Sequence, residues 1–256
     1  MKRKNDFWLG TQALGAKEFC RAERFLQSAF ASDPADFDAG FNLAVVYKNL
    51  GKKKAALELH KRLRQLAPGD FDNAVALGNI YAEVNQPGRA MAEYNRAMRV
   101  RPSDERLHYN IGITHEECGE PRKALRSYNI ALKLKPDFFE AGVRKARLLE
   151  ETGRSSSAMR TLDSLLLIAS PSQTASKLQL EKARLLGRLG NYERALECLK
   201  PLRRKLRKRE TLKELSSIIR DLEKRLEAGS RLARRKDNME GARPEAYRKR
   251  KQVRNG

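Results

Sequence analysis

Apolar residues recur along the chain at helical spacing, in pairs of stripes that are separated by short polar turns. Four prolines lie 34 residues apart and mark the period: Pro34, Pro68, Pro102 and Pro136. Counted back from each proline, the twelfth residue is always alanine, and the fifth is alanine or leucine. The twenty-fifth and twenty-fourth residues pair leucine or isoleucine with glycine or alanine. This repetition predicts one supersecondary unit that is used several times.

Each unit is predicted to contain two amphipathic helices joined by a tight turn. The turn falls seventeen residues before the proline, at Lys17, Gly51, Asn85 and Gly119. Pro87 and Pro121 suit the first turn of the second helix, where a missing N–H costs little. Alanines and glycines are expected to face each other across the hairpin and let the two axes approach closely. Neither helix buries its stripe alone, so neighbouring units must stack.

This pattern resembles the tetratricopeptide repeat, a helix-turn-helix unit of 34 residues. The resemblance is strong over residues 37–136 and good over 5–34, where Phe7-Trp8-Leu9-Gly10 opens the first helix. It weakens over 139–171, in which Lys145 replaces the usual leucine. One further unit follows, in which Pro201 is expected to kink or shorten the second helix. The resemblance implies an all-α fold, a right-handed superhelical solenoid of helix-turn-helix hairpins.

One more helix is predicted after the last unit. Its apolar residues step by three and four: Leu212, Leu215, Ile219, Leu222 and Leu226. Thr211 and Glu214 are placed as a capping box at its start, and Gly229 suits its end. We interpret it as a cap that seals the open end of the solenoid. A short coiled-coil seam is the alternative.

These features divide the chain into three predicted parts. About six hairpins, the last two degenerate, form a solenoid over residues 1–207, and the capping helix covers 208–229. Residues 230–256 lack periodicity and are interpreted as a basic, disordered tail.

The composition favours a cytoplasmic protein. Three cysteines without a CxxC pair suit a reducing compartment, and the longest aliphatic run, four residues, is too short to span a bilayer. The basic start is not followed by the apolar core of a signal peptide. The chain contains 54 Lys and Arg against 32 Asp and Glu, a net charge of +22.

No constellation of residues predicts catalysis, a metal site or a cofactor. The three histidines, His60, His108 and His115, occupy repeat positions that normally hold large side chains. His115 and Cys118 share a helix face, but no further ligand accompanies them. Because the phosphate-binding motifs GxGxxG and GxxxxGK[ST] do not occur either, the sequence predicts a non-enzyme.

The resemblance implies a groove, since first helices line the concave side of such arrays and bind extended peptides or partner helices there. Placed on that template, the groove is lined by Phe41, Val45, Lys48, Asp72, Val75, Asn79, Arg106, Tyr109, Asn110, Ile113, Arg144, Arg147 and Arg184. Its apolar members suggest anchor pockets, and its arginines favour a partner with acidic character. For each apolar member, packing against the next repeat is the alternative.

One subset of the family grips C-terminal carboxylates with two lysines, two asparagines and an arginine. This sequence keeps Asn79, Asn110 and Arg144, but Val75 and Glu140 stand in the two lysine places. Glu140 would repel a carboxylate. The resemblance therefore implies a peptide groove of different specificity.

The end of the chain is unusually basic. Residues 231–256 contain ten basic and three acidic side chains, and the predicted polyanion-binding residues are Arg234, Arg235, Lys236, Arg248, Lys249, Arg250 and Lys251. Tyr247 is the one aromatic residue there, so nucleic-acid binding would be backbone-driven and salt-sensitive. A tail that only improves solubility is the alternative.

Three functions follow from these observations. The first is a protein-binding scaffold or adaptor that uses the groove. The second is an RNA- or ribosome-associated factor that uses the tail, and the third is a secretion-type chaperone. None of them requires membrane insertion or a cofactor.

Overall fold

The computed structural model describes residues 2–169, 173–205 and 215–232, which form helices joined by short turns, with no strand among them. The helices with defined bounds are α1 (Lys2–Gly15), α2 (Phe19–Ser32), α3 (Phe37–Asn49), α4 (Lys53–Leu66), α5 (Phe71–Glu83), α6 (Pro87–Val100), α7 (Glu105–Glu117), α8 (Pro121–Leu134), α9 (Phe139–Glu151), α10 (Ser155–Ile168), α11 (Gln173–Arg188) and α12 (Tyr192–Lys205). Residues 215–232 are also helical. The all-α solenoid of paired helices that the repeat implies is confirmed.

The chain divides into two compact units, Met1–Ala141 and Gly142–Gly256. In the first unit, α1 to α8 form four hairpins, and α2, α4 and α6 each also contact the first helix of the next hairpin. The buried stripes predicted from the period meet inside and between these hairpins, with Leu26, Leu63 and Leu77 fully buried.

The turn position predicted from the period adopts a left-handed backbone in every hairpin. The residues are Lys17, Gly51, Asn85, Gly119, Gly153 and Gly190, with φ between 56° and 77°. In the second hairpin, Lys52 N donates to Tyr47 O at 2.8 Å and Gly51 N donates to Lys48 O at 3.0 Å. These two bonds form a Schellman motif, which satisfies carbonyls left over at the end of the helix.

The first helices begin at an aspartate two residues after the period-marking proline, a signal that the sequence analysis missed. Asp36, Asp70 and Asp104 accept hydrogen bonds from the backbone N–H three residues on, at 3.0, 2.7 and 2.7 Å. The carboxylate thereby satisfies one unpaired N–H of the first turn. The prediction for the second helices was right, since Pro87 and Pro121 are their first residues.

In the third and fourth hairpins, the close approach differs from the prediction that alanines and glycines face each other. A Cβ added to Gly78 would lie 2.4 Å from Tyr94 Cε1, and one added to Gly112 would lie 2.5 Å from Tyr128 Cε1. The glycine therefore makes room for the aromatic ring eight residues before the proline. The second hairpin combines Ala44 with the smaller His60 at the same two positions.

Neighbouring hairpins of the first unit are also joined by polar bonds to the carbonyl of the period-marking proline. Arg62 Nη2 donates to Pro34 O at 3.3 Å, and Arg96 Nη2 donates to Pro68 O at 2.9 Å. The next such carbonyl, that of Pro102, lies 2.9 Å from His108 Nε2.

The second unit ends in the additional helix predicted from its stepped leucines. Leu215 and Leu222 are buried in one apolar cluster with Leu199 and Leu202 of α12. This packing is that of a helix covering the last hairpin. The division into 1–207, 208–229 and 230–256 stays a prediction, and the capping-box residues Thr211 and Glu214 lie outside the described residues.

One local prediction in this unit was wrong: the helix does not end at Gly229 but continues to residue 232. Of the two effects expected of Pro201, shortening does not occur, because Pro201 lies inside α12 and the helix continues to Lys205. The kink stays a prediction. Across the part of the chain that the structure describes, each helix is too short or too polar to cross a bilayer.

Candidate interaction surface

The first unit places ten of the predicted groove residues on its first helices. One of them, Asp72 on α5, is exposed, and its Oδ2 lies 3.9 Å from Arg101 Nη2. We call the other nine the first-helix face: Phe41, Val45 and Lys48 on α3, Val75 and Asn79 on α5, and Arg106, Tyr109, Asn110 and Ile113 on α7. Seven of them are half-buried, whereas Lys48 and Arg106 are exposed. Because the repeat is regular, they form two columns with a spacing of 34 residues, Phe41–Val75–Tyr109 and Val45–Asn79–Ile113.

The first column also supports the packing of the hairpins, as the alternative interpretation expected. The Phe41 ring meets the His60 ring edge-on, with centroids 5.6 Å apart. Tyr109 lies 6.0 Å from the Tyr128 ring and 5.0 Å from the Phe138 ring, between centroids. Phe41 and Tyr109 therefore contribute to the packing of the hairpins.

The second column offers a polar group between two aliphatic ones. The Tyr94 hydroxyl donates to Asn79 Oδ1 at 2.9 Å, which holds the amide in place. Burial raises the pKa of Tyr94 to about 12, so the hydroxyl stays protonated and remains a donor at neutral pH. Among the described residues the Asn79 amide N–H groups have no partner. An amide held in this way can bind the backbone of an extended peptide.

The cationic member of α3 is already neutralised. Lys48 Nζ lies 3.1 Å from Glu83 Oε1, and Lys53 Nζ lies 3.1 Å from Glu83 Oε2. Partial burial alone would raise the pKa of Glu83, but the hydrogen bonds from the two lysines lower it below its ordinary value. Glu83 is a site residue that the sequence analysis missed.

The second unit holds the other three predicted groove residues, Arg144, Arg147 and Arg184. Arg147 Nη2 and Arg184 Nη1 approach Glu181 Oε1 at 2.6 and 3.1 Å. Despite partial burial, which alone would raise the pKa of Glu181, the hydrogen bond from Arg147 and the charges of both arginines lower it. Arg144 is half-buried and makes a non-covalent interaction of its own.

Arg147 and Arg184 border an open recess of about 560 Å³ in the second unit. Its lining consists of Arg147, Glu150, Glu151, Glu181, Arg184 and Arg188. Arg188 donates to both oxygens of Glu150, one of the bonds measuring 2.5 Å. With three guanidinium and three carboxylate groups, the recess is electrically balanced rather than basic. The carboxylates had not been predicted as part of the site.

The histidine side chains contact polar groups of the fold, and the cysteines show no sign of reactivity. His60 is buried, its Nδ1 lies 2.7 Å from Asn73 Oδ1, and burial lowers the pKa of its imidazole. His115 Nδ1 lies 2.7 Å from Glu120 Oε2. The cysteines are unpaired, and burial raises the pKa of the Cys198 thiol, opposite to the shift of a reactive cysteine.

No three His, Cys, Asp or Glu side chains are grouped to hold a metal ion in the described ranges. The predicted polyanion-binding residues, Arg234 to Lys236 and Arg248 to Lys251, lie outside those ranges.

Sequence models of the tetratricopeptide repeat match residues 69–104 and 109–174. A search of the curated proteins finds no match.

Several solved structures are similar in fold. A tetratricopeptide repeat protein from Parabacteroides merdae is 18% identical, with 85% of this chain and 84% of that chain covered and a TM-score of 0.64. PilF of Pseudomonas aeruginosa is 19% identical, with 84% and 97% covered and a TM-score of 0.64. MamA from Desulfovibrio magneticus RS-1, from residue 41 to its end, is 16% identical, with 65% and 94% covered and a TM-score of 0.61.

Proposed function

We propose a protein-binding role from the premise that the chain is a tetratricopeptide repeat protein, a member of a family of protein-interaction scaffolds. In this role it binds a segment of another protein on its first-helix face. The segment is extended or helical, and the role is non-catalytic. The observation that carries this proposal is the second column, in which Asn79 stands between the half-buried side chains of Val45 and Ile113.

The column offers the two features that peptide binding needs. Half-buried aliphatic side chains gain by being covered, at roughly 25 cal/mol per Å² of apolar surface. An amide fixed by the Tyr94 hydroxyl can hydrogen-bond the peptide backbone without first losing its own freedom. Recurrence of the column at each hairpin suits a partner that runs across several repeats.

Fewer cationic side chains than the sequence indicated remain available to bind an acidic partner. Lys48, Arg147 and Arg184 already bind carboxylates, whereas Arg106 is exposed and makes no ion pair among the described residues. We therefore propose that apolar and backbone contacts dominate and that an acidic residue of the partner meets Arg106.

The test is site-specific photo-crosslinking with the full-length chain. A photoreactive amino acid at residue 113 is expected to crosslink a protein from lysate, whereas the same group at residue 130, on the second helix of the same hairpin, is not. The captured protein is identified by mass spectrometry and then titrated against the purified chain.

The titration includes a matched pair of variants. Val45→Ser with Ile113→Ser is expected to weaken binding at least tenfold, because it removes two apolar contacts. Val100→Ser with Ile130→Ser removes exposed aliphatic groups elsewhere and is expected to leave binding unchanged. Equal affinities of the two double variants would place the binding site away from the first-helix face.

A second candidate uses the basic tail, as an RNA- or ribosome-associated factor. It is supported by the ten basic and three acidic residues of 231–256. Replacing Arg234 to Lys236 and Arg248 to Lys251 with glutamine is expected to abolish any RNA binding that the tail provides. No feature of the described residues favours the secretion-type chaperone.

A further inference from the structure

The charges of the first unit are divided between its two sets of helices. The second helices α4, α6 and α8 contain twelve lysines and arginines against two glutamates. The first helices α3, α5 and α7 contain two basic and six acidic residues. The positive excess of this unit therefore does not lie on the face that binds peptides in the proposed function.

The surplus cations on the second helices are exposed and lack partners. Both glutamates are taken, Glu58 by Lys61 at 2.7 Å and Glu93 by Arg64 at 2.5 Å, and α8 contains no acidic residue. We call the remaining exposed set the second-helix face: Lys54, Arg99, Arg122, Arg126 and Lys133. None of the five forms a hydrogen bond or an ion pair with any residue that the structure describes.

The members of this face lie along one stripe and recur between hairpins. Arg122, Arg126 and Lys133 are separated by four and seven residues, so they share one side of α8. Arg99 and Lys133 hold equivalent positions in consecutive repeats, three residues before the proline. Lys54 and Arg122 both lie fourteen residues before a proline, but two repeats apart.

The regular packing of the hairpins places α4, α6 and α8 in sequence, with Arg99 and Lys133 on neighbouring second helices. The contact of Gly78 with Tyr94 is repeated by Gly112 with Tyr128, so α6 packs on α5 as α8 packs on α7. The helices α5 and α7 contact each other, and the ion pair between Arg64 and Glu93 joins α4 to α6. The second helices therefore form a row with their cations on its exposed side.

We propose that the second-helix face binds the phosphodiester backbone of nucleic acid. Its five cations are spread over three helices, which suits a long polymer with regularly spaced charges. Three of them are arginines, whose forked guanidinium groups match phosphate oxygens.

The binding is independent of base sequence. The exposed large apolar residues of these helices are aliphatic, Leu66, Val100, Ile130 and Leu134, whereas Tyr94 and Tyr128 are buried. Without an exposed aromatic ring the face cannot stack bases, so it contacts the backbone alone. Because a protein can cover these exposed aliphatic groups, an acidic protein segment is the alternative ligand of this face.

The experiment measures the affinity of the full-length chain for a fluorescein-labelled single-stranded RNA and for duplex DNA as salt is raised. The test variant is Arg99→Gln, Arg122→Gln, Arg126→Gln and Lys133→Gln together. Its matched control is Arg220→Gln, Lys224→Gln, Arg225→Gln and Arg231→Gln, which removes the same charge from exposed positions of the last helix. Circular dichroism verifies that both are folded.

The test variant is expected to bind RNA at least tenfold more weakly than the control at low salt. Each lost phosphate contact makes the negative slope of log affinity against log salt shallower by about 0.7 for a single strand. The magnitude of the slope is therefore expected to decrease by roughly 2 to 3. Loss of RNA and DNA binding together supports backbone recognition.

Two results would overturn the proposal. Equal losses in the test and control variants would show that net charge alone attracts RNA. Labelled poly-glutamate that binds more tightly than RNA, and loses affinity in the test variant, would identify an acidic protein as the occupant. A full-length chain with the seven tail residues changed to glutamine separates this face from the tail, since binding through the second-helix face survives that change.

Discussion

At the scale of single residues, the left-handed turn position shows where this chain departs from the optimum of its own repeat. Four of the six turns use glycine, but Lys17 and Asn85 hold the same backbone with φ of 61° and 56°. A side chain in this region costs about 1–2 kcal/mol, and asparagine tolerates it better than lysine does. The same turn conformation is therefore more strained in the hairpins that use Lys17 and Asn85 than in those that use glycine.

Lys17→Gly is therefore expected to raise the free energy of unfolding by about 1 kcal/mol, and Asn85→Gly by less. Chemical denaturation monitored by circular dichroism measures both. Lys17→Ala is the matched control, because it removes the same side chain without relieving the backbone. A gain in Lys17→Ala equal to that in Lys17→Gly would show that the side chain, not φ, is responsible.

Gly78 carries a different requirement, because it faces the Tyr94 ring. Gly78→Ala is expected to destabilise the first unit by about 1–3 kcal/mol, since the added Cβ would lie 2.4 Å from the ring and force it to move. Gly88, inside α6, has open space around it. Gly88→Ala is expected to be neutral or stabilising by up to about 1 kcal/mol. Thermal unfolding of both variants decides whether contact or helix propensity dominates.

At the scale of elements, α9 is the helix whose apolar stripe is interrupted. Lys145 stands at the position that Leu43, Leu77 and Ile111 fill with buried side chains. The lysine is half-buried, and burial lowers the pKa of its ammonium group below 10.5. The helix therefore places a charged group where the repeat expects an apolar one.

Lys145→Leu is expected to stabilise the chain by about 1 kcal/mol at neutral pH. The native pKa is below that of the unfolded chain, so the unfolded chain binds more protons between the two values, and wild-type stability rises with pH across that window. The advantage of the variant should shrink as pH approaches 10.5. Denaturant titrations at neutral and alkaline pH measure it, and an advantage independent of pH would contradict the burial of the charged form.

The sequence predicted which helices form more reliably than it predicted where they end. The period located the turns at Lys17, Gly51, Asn85 and Gly119 and the first residues of α6 and α8. It did not locate the end of the last helix, which passes Gly229, because a glycine suited to a helix end is also tolerated inside a helix at a modest cost.

At the scale of the whole molecule, a net charge of +22 disfavours the compact state through self-repulsion. In the first unit the repulsion concentrates on the second-helix face, where the cations lack carboxylates. Salt screens exposed charges, with a Debye length of about 10 Å at 0.1 M. The chain should therefore become more stable as salt is added.

Raising salt from about 20 mM to about 200 mM is expected to raise the thermal unfolding midpoint of the wild-type chain. The rise should be smaller in the variant with Arg99, Arg122, Arg126 and Lys133 changed to glutamine. The variant of the last helix provides the matched loss of charge, and there Arg225 and Arg231 already pair with Asp221 and Glu227. Identical salt responses in the two variants would contradict repulsion localised on the second-helix face.

The candidate site could also be predicted only in part from the sequence. The resemblance to the tetratricopeptide repeat placed ten groove residues on the first helices of the first unit, and equivalent positions of a repeat share one environment. The resemblance could not show that Glu83 neutralises Lys48 or that Glu181 joins Arg147 to Arg184. The pairs Lys48–Glu83 and Arg147–Glu181 join residues more than thirty positions apart, so no local pattern could predict them.

The sequence by itself determined the repeat, the helical hairpins, the turn positions and the buried stripes, because helix periodicity, proline and glycine act through local backbone geometry. Tertiary structure alone decided which charges remain available. Arg147 and Lys52 look like free cations in the sequence, but folding brings Glu181 and Glu23 to them, whereas Arg99 and Lys133 meet no carboxylate among the described residues. The reason is physical: burial and close approach neutralise a charge only after distant segments have packed together.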